Sequence, residues 1–173
     1  MIIGAHVPIA VEKPGSLVGW SPNACVTEEE FLAKLHSYPN LILWIAGHRH
    51  FNTITALPSP DPARPELGFR EVETSSLRDF PQQFRTFEIV RNSDDTASIF
   101  ATDVDPAVAD GSPAAISRVY GVGAPKLFKM DEGTSLGDIT LPPLPLMPTG
   151  SYNAELVVQL SPEMQAKLSR LGA

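Results

Sequence analysis

The sequence predicts an α/β (α+β) fold built on a mixed sheet. Two short apolar runs, Met1–Ala5 and Leu41–Ala46, have the length and aliphatic content of buried strands. A helical pattern separates them, which gives a strand–helix–strand unit whose two strands run parallel. Three later segments, 68–74, 84–90 and 97–103, alternate in the manner of antiparallel strands. Parallel and antiparallel pairing in one chain is what makes the predicted sheet mixed.

The first helix is predicted from a capping box. Thr27 is followed by three glutamates, so its hydroxyl and the Glu30 carboxylate can each accept a backbone N–H at the helix start. The helix is expected to run to about Ser37 and to bury three apolar side chains, namely Phe31, Leu32 and Leu35. His36 lies near its carboxyl end, where the helix dipole favours a cation, and is interpreted as structural.

The remaining elements follow from turn and cap residues. A third strand is expected over 51–57, and the turn at 92–95 joins the last two antiparallel strands. Ser112-Pro113 predicts a helix to about Tyr120, because serine caps a helix and proline suits its first turn. The sequence then predicts a strand over 152–160 and a terminal helix that begins at Ser161. The apolar stripe of that helix consists of Met164, Leu168 and Leu171.

Composition indicates an ordinary globular protein. The 173 residues are 43% hydrophobic and 19% charged, which is enough apolar content for a core. A net charge of -7 with no basic stripe argues against a nucleic-acid partner. No membrane-spanning run or signal peptide is visible, so no membrane is expected and the chain is expected to be soluble, with its compartment left open. Cys25 is the single cysteine, which excludes an internal disulfide.

Seventeen prolines are about twice the usual share and divide the chain. The first cluster, 58–65, is interpreted as a surface loop between strands, and the second, 142–148, as an extended connector. The most defensible division therefore gives a main region over 1–140 and a C-terminal appendage over 141–173. The appendage comprises the proline-rich connector, a strand and a helix.

Three of the four histidines fall at the ends of the two parallel strands. His6 closes the first apolar run, and Gly47-His48-Arg49-His50 follows the second. Parallel strands present their carboxyl ends to one crevice, so His6, His48 and His50 are expected to converge if these strands are neighbours. If the strand continued, His48 and His50 would face the same way about 6.6 Å apart, a spacing that suits metal ligation. The alternative is a polar strand end whose histidines reach solvent.

The same residues resemble a known family. Ala5-His6-Val7-Pro8-Ile9 and Gly47-His48-Arg49-His50 resemble the last two metal-binding blocks of the calcineurin-like metallophosphoesterases, and 73–85 resembles a poorly characterised bacterial branch of them. The resemblance runs from Met1 to about Val104 and more loosely beyond. It implies the C-terminal half of a β-sandwich with flanking helices. It also implies that His6 and His48 share one metal ion while His50 holds a second.

The family's N-terminal motifs are missing from this chain. D-x-H, G-D-x-x-D and G-N-H-D/E do not occur, and a two-metal site needs the carboxylates that they supply. We therefore expect a fragment of a phosphoric-ester hydrolase that has no catalytic residue of its own and is inactive alone. A truncated gene, a split gene or a deliberately shortened chain would explain it. At most one divalent ion is expected here, with zinc, manganese and iron indistinguishable.

Three other residues are candidates for substrate binding or for supporting the metal ligands. Asn52 falls on the expected face of His48 and His50, and Arg78 and Asp79 follow a run of small hydroxyl residues. A strand-end hydrogen bond for Asn52 and an Arg–Asp turn are the simpler alternatives.

Two expectations concern partners and function. Half of a sandwich would leave apolar surface uncovered, so a homo-oligomer or a complementing N-terminal half is expected, against a monomer that folds back on itself. The alternative function is a non-catalytic binding or structural domain with no specific metal.

Overall fold

The computed structural model describes residues 1–9, 26–50, 52–79, 81–127, 134–136, 139–141 and 153–170. Within these residues the chain forms an α+β fold of two main sheets, one small hairpin and three α-helices. Three predicted features lie outside the described residues: Cys25, Leu171 and the second proline cluster. Among the described residues, no helix combines the length and apolar character needed to cross a membrane.

The first sheet contains both histidine-bearing strands. Its strands are β1 (Ile2–Gly4), β2 (Leu43–Ala46), β3 (Thr53–Leu57) and β4 (Phe69–Glu73), in the spatial order β1-β2-β4-β3. β1, β2 and β4 are parallel, and β3 is antiparallel to β4. The predicted strand–helix–strand unit is therefore confirmed, and the sheet is mixed.

Helix α1 (Glu28–His36) connects β1 and β2 and begins at the predicted capping box. The Thr27 hydroxyl accepts the Glu30 N–H at 3.2 Å, and the Glu30 carboxylate accepts the Thr27 N–H at 2.9 Å. Leu35 is buried as predicted, but the prediction for Phe31 is wrong because that side chain is exposed. Phe31 lies at the rim of the core, where its ring meets Trp44 edge-to-face at 5.6 Å.

The second main sheet is antiparallel throughout. It contains β5 (Phe84–Arg91), β6 (Thr96–Val104) and, beyond the hairpin of β7 (Thr134–Leu136) and β8 (Ile139–Leu141), strand β9 (Ala154–Gln159). The order is β5-β6-β9. Segment 68–74, expected to alternate as an antiparallel strand, is antiparallel to β3 but parallel to β2, and it belongs to the first sheet. That segment forms β4 and pairs with β2 and β3, because its buried face completes the first sheet.

The other two helices begin at the predicted caps. Helix α2 (Pro113–Leu127) starts after Ser112, whose hydroxyl accepts the Ala115 N–H at 3.1 Å, and it runs well past the predicted end at Tyr120. Helix α3 (Pro162–Ser169) starts after Ser161, which caps it through the Met164 N–H at 3.3 Å. Serine followed by proline thus marks both starts correctly.

One apolar cluster joins the two main sheets. Leu43 and Val72 of the first sheet pack with Ile99 of the second, and β9 adds its own apolar side chains. The contributing residues after position 141 are Ala154, Leu156, Val158, Leu160, Met164 and Leu168. The described part of the expected appendage thus shares its core with the main region. A second cluster lies on the opposite face of the first sheet, under α1.

Candidate functional site

The parallel strands of the first sheet all end at one edge, where their following residues meet. The Gly47 N–H, after β2, donates to the His6 carbonyl at 3.0 Å, and the Thr74 N–H, after β4, donates to the Ala46 carbonyl at 2.8 Å. The backbone is therefore held in parallel fashion one residue beyond each strand. This places the segments that carry His6 and His48 side by side.

The structure brings the side chains of His6 and His48 into direct contact. His6 Nε2 lies 3.2 Å from His48 Nδ1, and the ring centroids are 5.0 Å apart with the ring planes nearly perpendicular at 80°. The expectation that these two histidines converge is therefore confirmed. This expectation rests on the parallel pairing of β1 and β2, and the structure shows that pairing.

The histidine segment is a bend, and the strand geometry assumed for it is wrong. β2 ends at Ala46, and both His48 (φ 77°) and His50 (φ 64°) lie in the left-handed region of the backbone map. A non-glycine residue whose backbone lies in that region costs about 1–3 kcal/mol of conformational free energy, and such residues cluster at functional sites. The rule that side chains at positions i and i+2 of a strand point to the same side does not apply to His48 and His50. The bend, and not strand alternation, directs His48 towards His6.

A buried carboxylate holds the middle of this bend. Glu73, the last residue of β4, is 1% exposed and accepts Arg49 Nη2 at 2.5 Å and Arg49 Nε at 3.1 Å. It also accepts the Arg49 backbone N–H at 3.2 Å and the Thr53 hydroxyl at 3.3 Å. Sequence reasoning gave Glu73 no role. Period-two alternation from buried Phe69 would have placed it on the inward face of β4.

His50 lies against a different carboxylate. Its Nδ1 is 3.7 Å from Asp79 Oδ2, which brings together two of the residues selected from the sequence. Within the part of the chain that the structure describes, no three His, Cys, Asp or Glu side chains form a group that could hold a metal ion. The candidate metal donors are thus the His6–His48 pair.

Asn52 and Arg78 occupy structural positions. Asn52 is fully buried; its amide donates to Gln83 Oε1 at 2.9 Å and accepts the Ser75 N–H at 3.0 Å. Arg78 is exposed, and its backbone N–H donates to the Ser76 hydroxyl at 3.1 Å within a turn. Both arrangements match the simpler alternatives weighed for these residues.

A second buried carboxylate lies on the same face of β4. Glu71 accepts the Ile9 N–H at 2.6 Å, so it ties the segment after His6 to the sheet. Burial raises the pKa of Glu71 above its ordinary value, against the lowering effect of the Ile9 hydrogen bond. The sequence does not single out either glutamate, because the alternating residues of Phe69–Glu73 match no metal-binding or catalytic motif.

His36, the fourth histidine, makes different contacts from those of the His6–His48 pair. Its Nδ1–H donates to the Leu67 carbonyl at 2.8 Å, and its ring lies beside Phe69 at 5.3 Å. A groove of about 730 Å³ beside α1 is lined by His36 together with Thr27, Leu32 and Pro60, and not by the histidine pair. The hydrogen bond agrees with the structural interpretation of His36.

Comparison of the chain with protein-family models, with curated proteins and with solved structures gives no match.

Proposed function

We propose that this chain is a C-terminal portion of a calcineurin-like metal-dependent phosphoesterase that binds one divalent ion through His6 and His48. The observation that supports it is the 3.2 Å separation of their ring nitrogens at the carboxyl edge of parallel strands. Ligands bind at that edge in α/β sheets. The sequence motifs around the two histidines support the family assignment in this proposal, and the geometry supports the choice of His6 and His48 as the metal donors.

The nitrogen separation fits a shared ion. Two imidazole nitrogens at 2.0–2.1 Å from a tetrahedral zinc ion lie about 3.3–3.4 Å apart, close to the observed 3.2 Å. Two protein ligands leave the other positions to water or to a partner chain. A two-metal centre does not fit the described residues, because the carboxylate of Glu73 is engaged by Arg49 and His50 faces Asp79.

The chemistry of the complete family site needs more than this pair. A bound divalent ion supplies polarisation of a phosphoryl oxygen and acidification of a bound water. His6 and His48 would hold and orient that ion, while a bridging carboxylate and the ligands of the second ion would have to come from elsewhere. We therefore expect no efficient hydrolysis from this chain by itself.

A partner would complete the site. β1 lies at the outer edge of the first sheet, and its apolar residue Ile2 is 47% exposed. An edge strand presents unpaired backbone groups to which further strands can add. A complementing chain with the missing carboxylate motifs, or a second copy of this chain, is the proposed partner.

A non-catalytic role is the second candidate, and the same distance favours it. A neutral imidazole N–H can donate to the ring nitrogen of another at 3.2 Å. In that case the pair joins the segments after β1 and β2 and binds no specific metal. The two candidates differ in what a titration with metal should find.

Zinc titration of the untagged chain separates the two candidates. We expect about one Zn²⁺ per chain by calorimetry, and an affinity at least roughly tenfold weaker in His6→Ala and His48→Ala, since losing even an outer-sphere partner of a metal site costs that much. His36→Ala is the matched control, because it removes an imidazole that bonds Leu67. No stoichiometric binding, or equal binding by all four proteins, would support the non-catalytic role.

A further inference from the structure

The contacts of Glu73 concentrate on one residue of the histidine bend. Its carboxylate receives Arg49 through the backbone N–H, Nε and Nη2, so one group fixes both the main chain and the side chain. The strand registers place Glu73 opposite Ala46 on one side and Thr53 on the other. The bend begins directly after Ala46, so Glu73 lies where β2 ends.

The conformation of the bend needs such an anchor. His48 and His50, on either side of Arg49, have positive φ angles of 77° and 64°. Residues in this region persist only when their surroundings over-determine the conformation. Within the bend, the Arg49 N–H also donates to the Gly47 carbonyl at 3.0 Å. The buried carboxylate supplies the tertiary constraint that the local hydrogen bond lacks.

We infer that Glu73 is a positioning residue that acts through Arg49 to direct His48 towards His6. Glu73 shapes the main chain that presents His48, and its role in metal binding rests on the function proposed above. Both the guanidinium and the carboxylate are needed. The arginine fork matches a carboxylate in two parallel hydrogen bonds, which neither lysine in place of arginine nor glutamine in place of glutamate reproduces. The Glu73 carboxylate is held in turn by the Thr53 hydroxyl.

Zinc affinity of matched glutamate variants tests this inference. Glu73→Gln should weaken Zn²⁺ binding roughly ten- to hundredfold, the usual effect of removing a group that orients a metal ligand. Glu71→Gln is the control: the same change two residues away on the same face of β4, where the amide oxygen can still accept the Ile9 N–H. It should weaken the affinity clearly less than Glu73→Gln does, because Glu71 accepts the Ile9 N–H and none of the Arg49 hydrogen bonds goes to it. An equal loss in both variants would contradict the inference.

A double-variant cycle tests whether Glu73 acts through Arg49. If it does, the zinc affinity of the Arg49→Lys, Glu73→Gln double variant should be close to that of Glu73→Gln alone, because the second change removes nothing further. Losses that add in full would show that the two residues act independently. Arg49→Lys alone keeps the charge and the fold, so it also serves if Glu73→Gln fails to fold.

A metal-free measurement separates this inference from the metal proposal. The rings of His6 and His48, with centroids 5.0 Å apart, should give a through-space proton contact in the NMR spectrum of the metal-free protein. We expect Glu73→Gln and Arg49→Lys to weaken or lose this contact and Glu71→Gln to keep it. If the wild type binds no zinc, the metal proposal fails while this contact still tests the positioning role. An unchanged contact in the Glu73 and Arg49 variants would overturn the inference.

Discussion

Two Arg–carboxylate pairs, one within the second main sheet and one at the edge of the first, use the same chemistry in different settings. Arg85 and Asp103 lie directly opposite each other on β5 and β6, with both side chains 0% exposed and bonds of 2.6 and 2.9 Å. Arg49 and Glu73 join a bend to the end of β4, and the Arg49 side chain keeps 30% of its exposure. The first pair lies within a regular ladder, and the second lies where the ladder has ended.

This difference separates stability from local shape. Around Arg85 and Asp103 the backbone is fixed by the antiparallel pairing of β5 with β6, so the ion pair is not needed to define it. Around Arg49 the backbone is a bend with left-handed residues, and the ion pair reaches it directly. Breaking the first pair should therefore cost mainly free energy of unfolding. Breaking the second should cost less free energy but change the site.

The largest expected effect on stability comes from Asp103→Asn. The variant leaves the Arg85 guanidinium buried without its counter-charge, and breaking a buried pair in this way costs roughly 3–5 kcal/mol. Urea unfolding followed by circular dichroism measures the loss. Replacing both residues, as in Arg85→Met with Asp103→Leu, should recover most of it because no unpaired charge remains. A loss under about 1 kcal/mol would show that water reaches this pair.

Glu73→Gln should destabilise the fold less, by about 1–3 kcal/mol. Arg49 is partly exposed and can turn its guanidinium towards water once the carboxylate is gone, whereas Arg85 cannot. The same urea titration compares the two variants directly. If Glu73→Gln proved the more destabilising of the two, the ranking by exposure would be wrong.

Local rules account for the elements that the sequence predicts well. The capping box at Thr27 and the Ser-Pro starts at Ser112 and Ser161 depend on neighbouring residues alone, and all three helices begin where expected. The turn at 92–95 is similar: Asp95 has a φ of 64°, and the Asn92 N–H donates to the Thr96 carbonyl. Each is a short-range interaction that can be predicted from consecutive residues of the sequence.

Non-local pairing explains what the sequence could not supply. β4 reads as one more alternating strand, but its partners are decided by which sheet its buried face completes. The burial of β9 against Leu43 and Val72 likewise depends on the packing of two sheets. Exposed Phe31 shows the same limit, since its helical position alone does not reveal where the core ends.

The candidate site divides in the same way. The meeting of His6 and His48 followed from parallel pairing, which a strand–helix–strand pattern predicts. The bend and its anchor did not, because Arg49 and Glu73 are 24 residues apart and no local pattern marks the left-handed backbone of the two histidines. The metal stays a prediction that the zinc titration tests, and the family and the partner also stay predictions.

The stability contribution of Glu71 should depend on pH. Burial raises its folded-state pKa above the ordinary 4.5, so its ionised form is disfavoured in the fold. At a pH below 4.5 both states are protonated and no penalty arises; the penalty grows as the pH rises and is complete above the raised pKa. Glu71→Gln should therefore gain stability relative to wild type as the pH rises from 4.5, and keep that gain near neutrality. Urea midpoints measured across this range check the sign, and a gain that shrank with rising pH would contradict it.

The smallest effect on stability is expected at a solvent-exposed ion pair. Lys167 and Glu163 lie one turn apart on α3, with bonded atoms at 2.6 Å and side chains 70% and 73% exposed. Water and salt screen such a pair, so Lys167→Met should leave the urea midpoint unchanged within error. This pair is as short as the Arg85–Asp103 contact at 2.6 Å, so the comparison isolates exposure from distance. If Lys167→Met lowered stability as much as Asp103→Asn, burial could not be what ranks the three pairs.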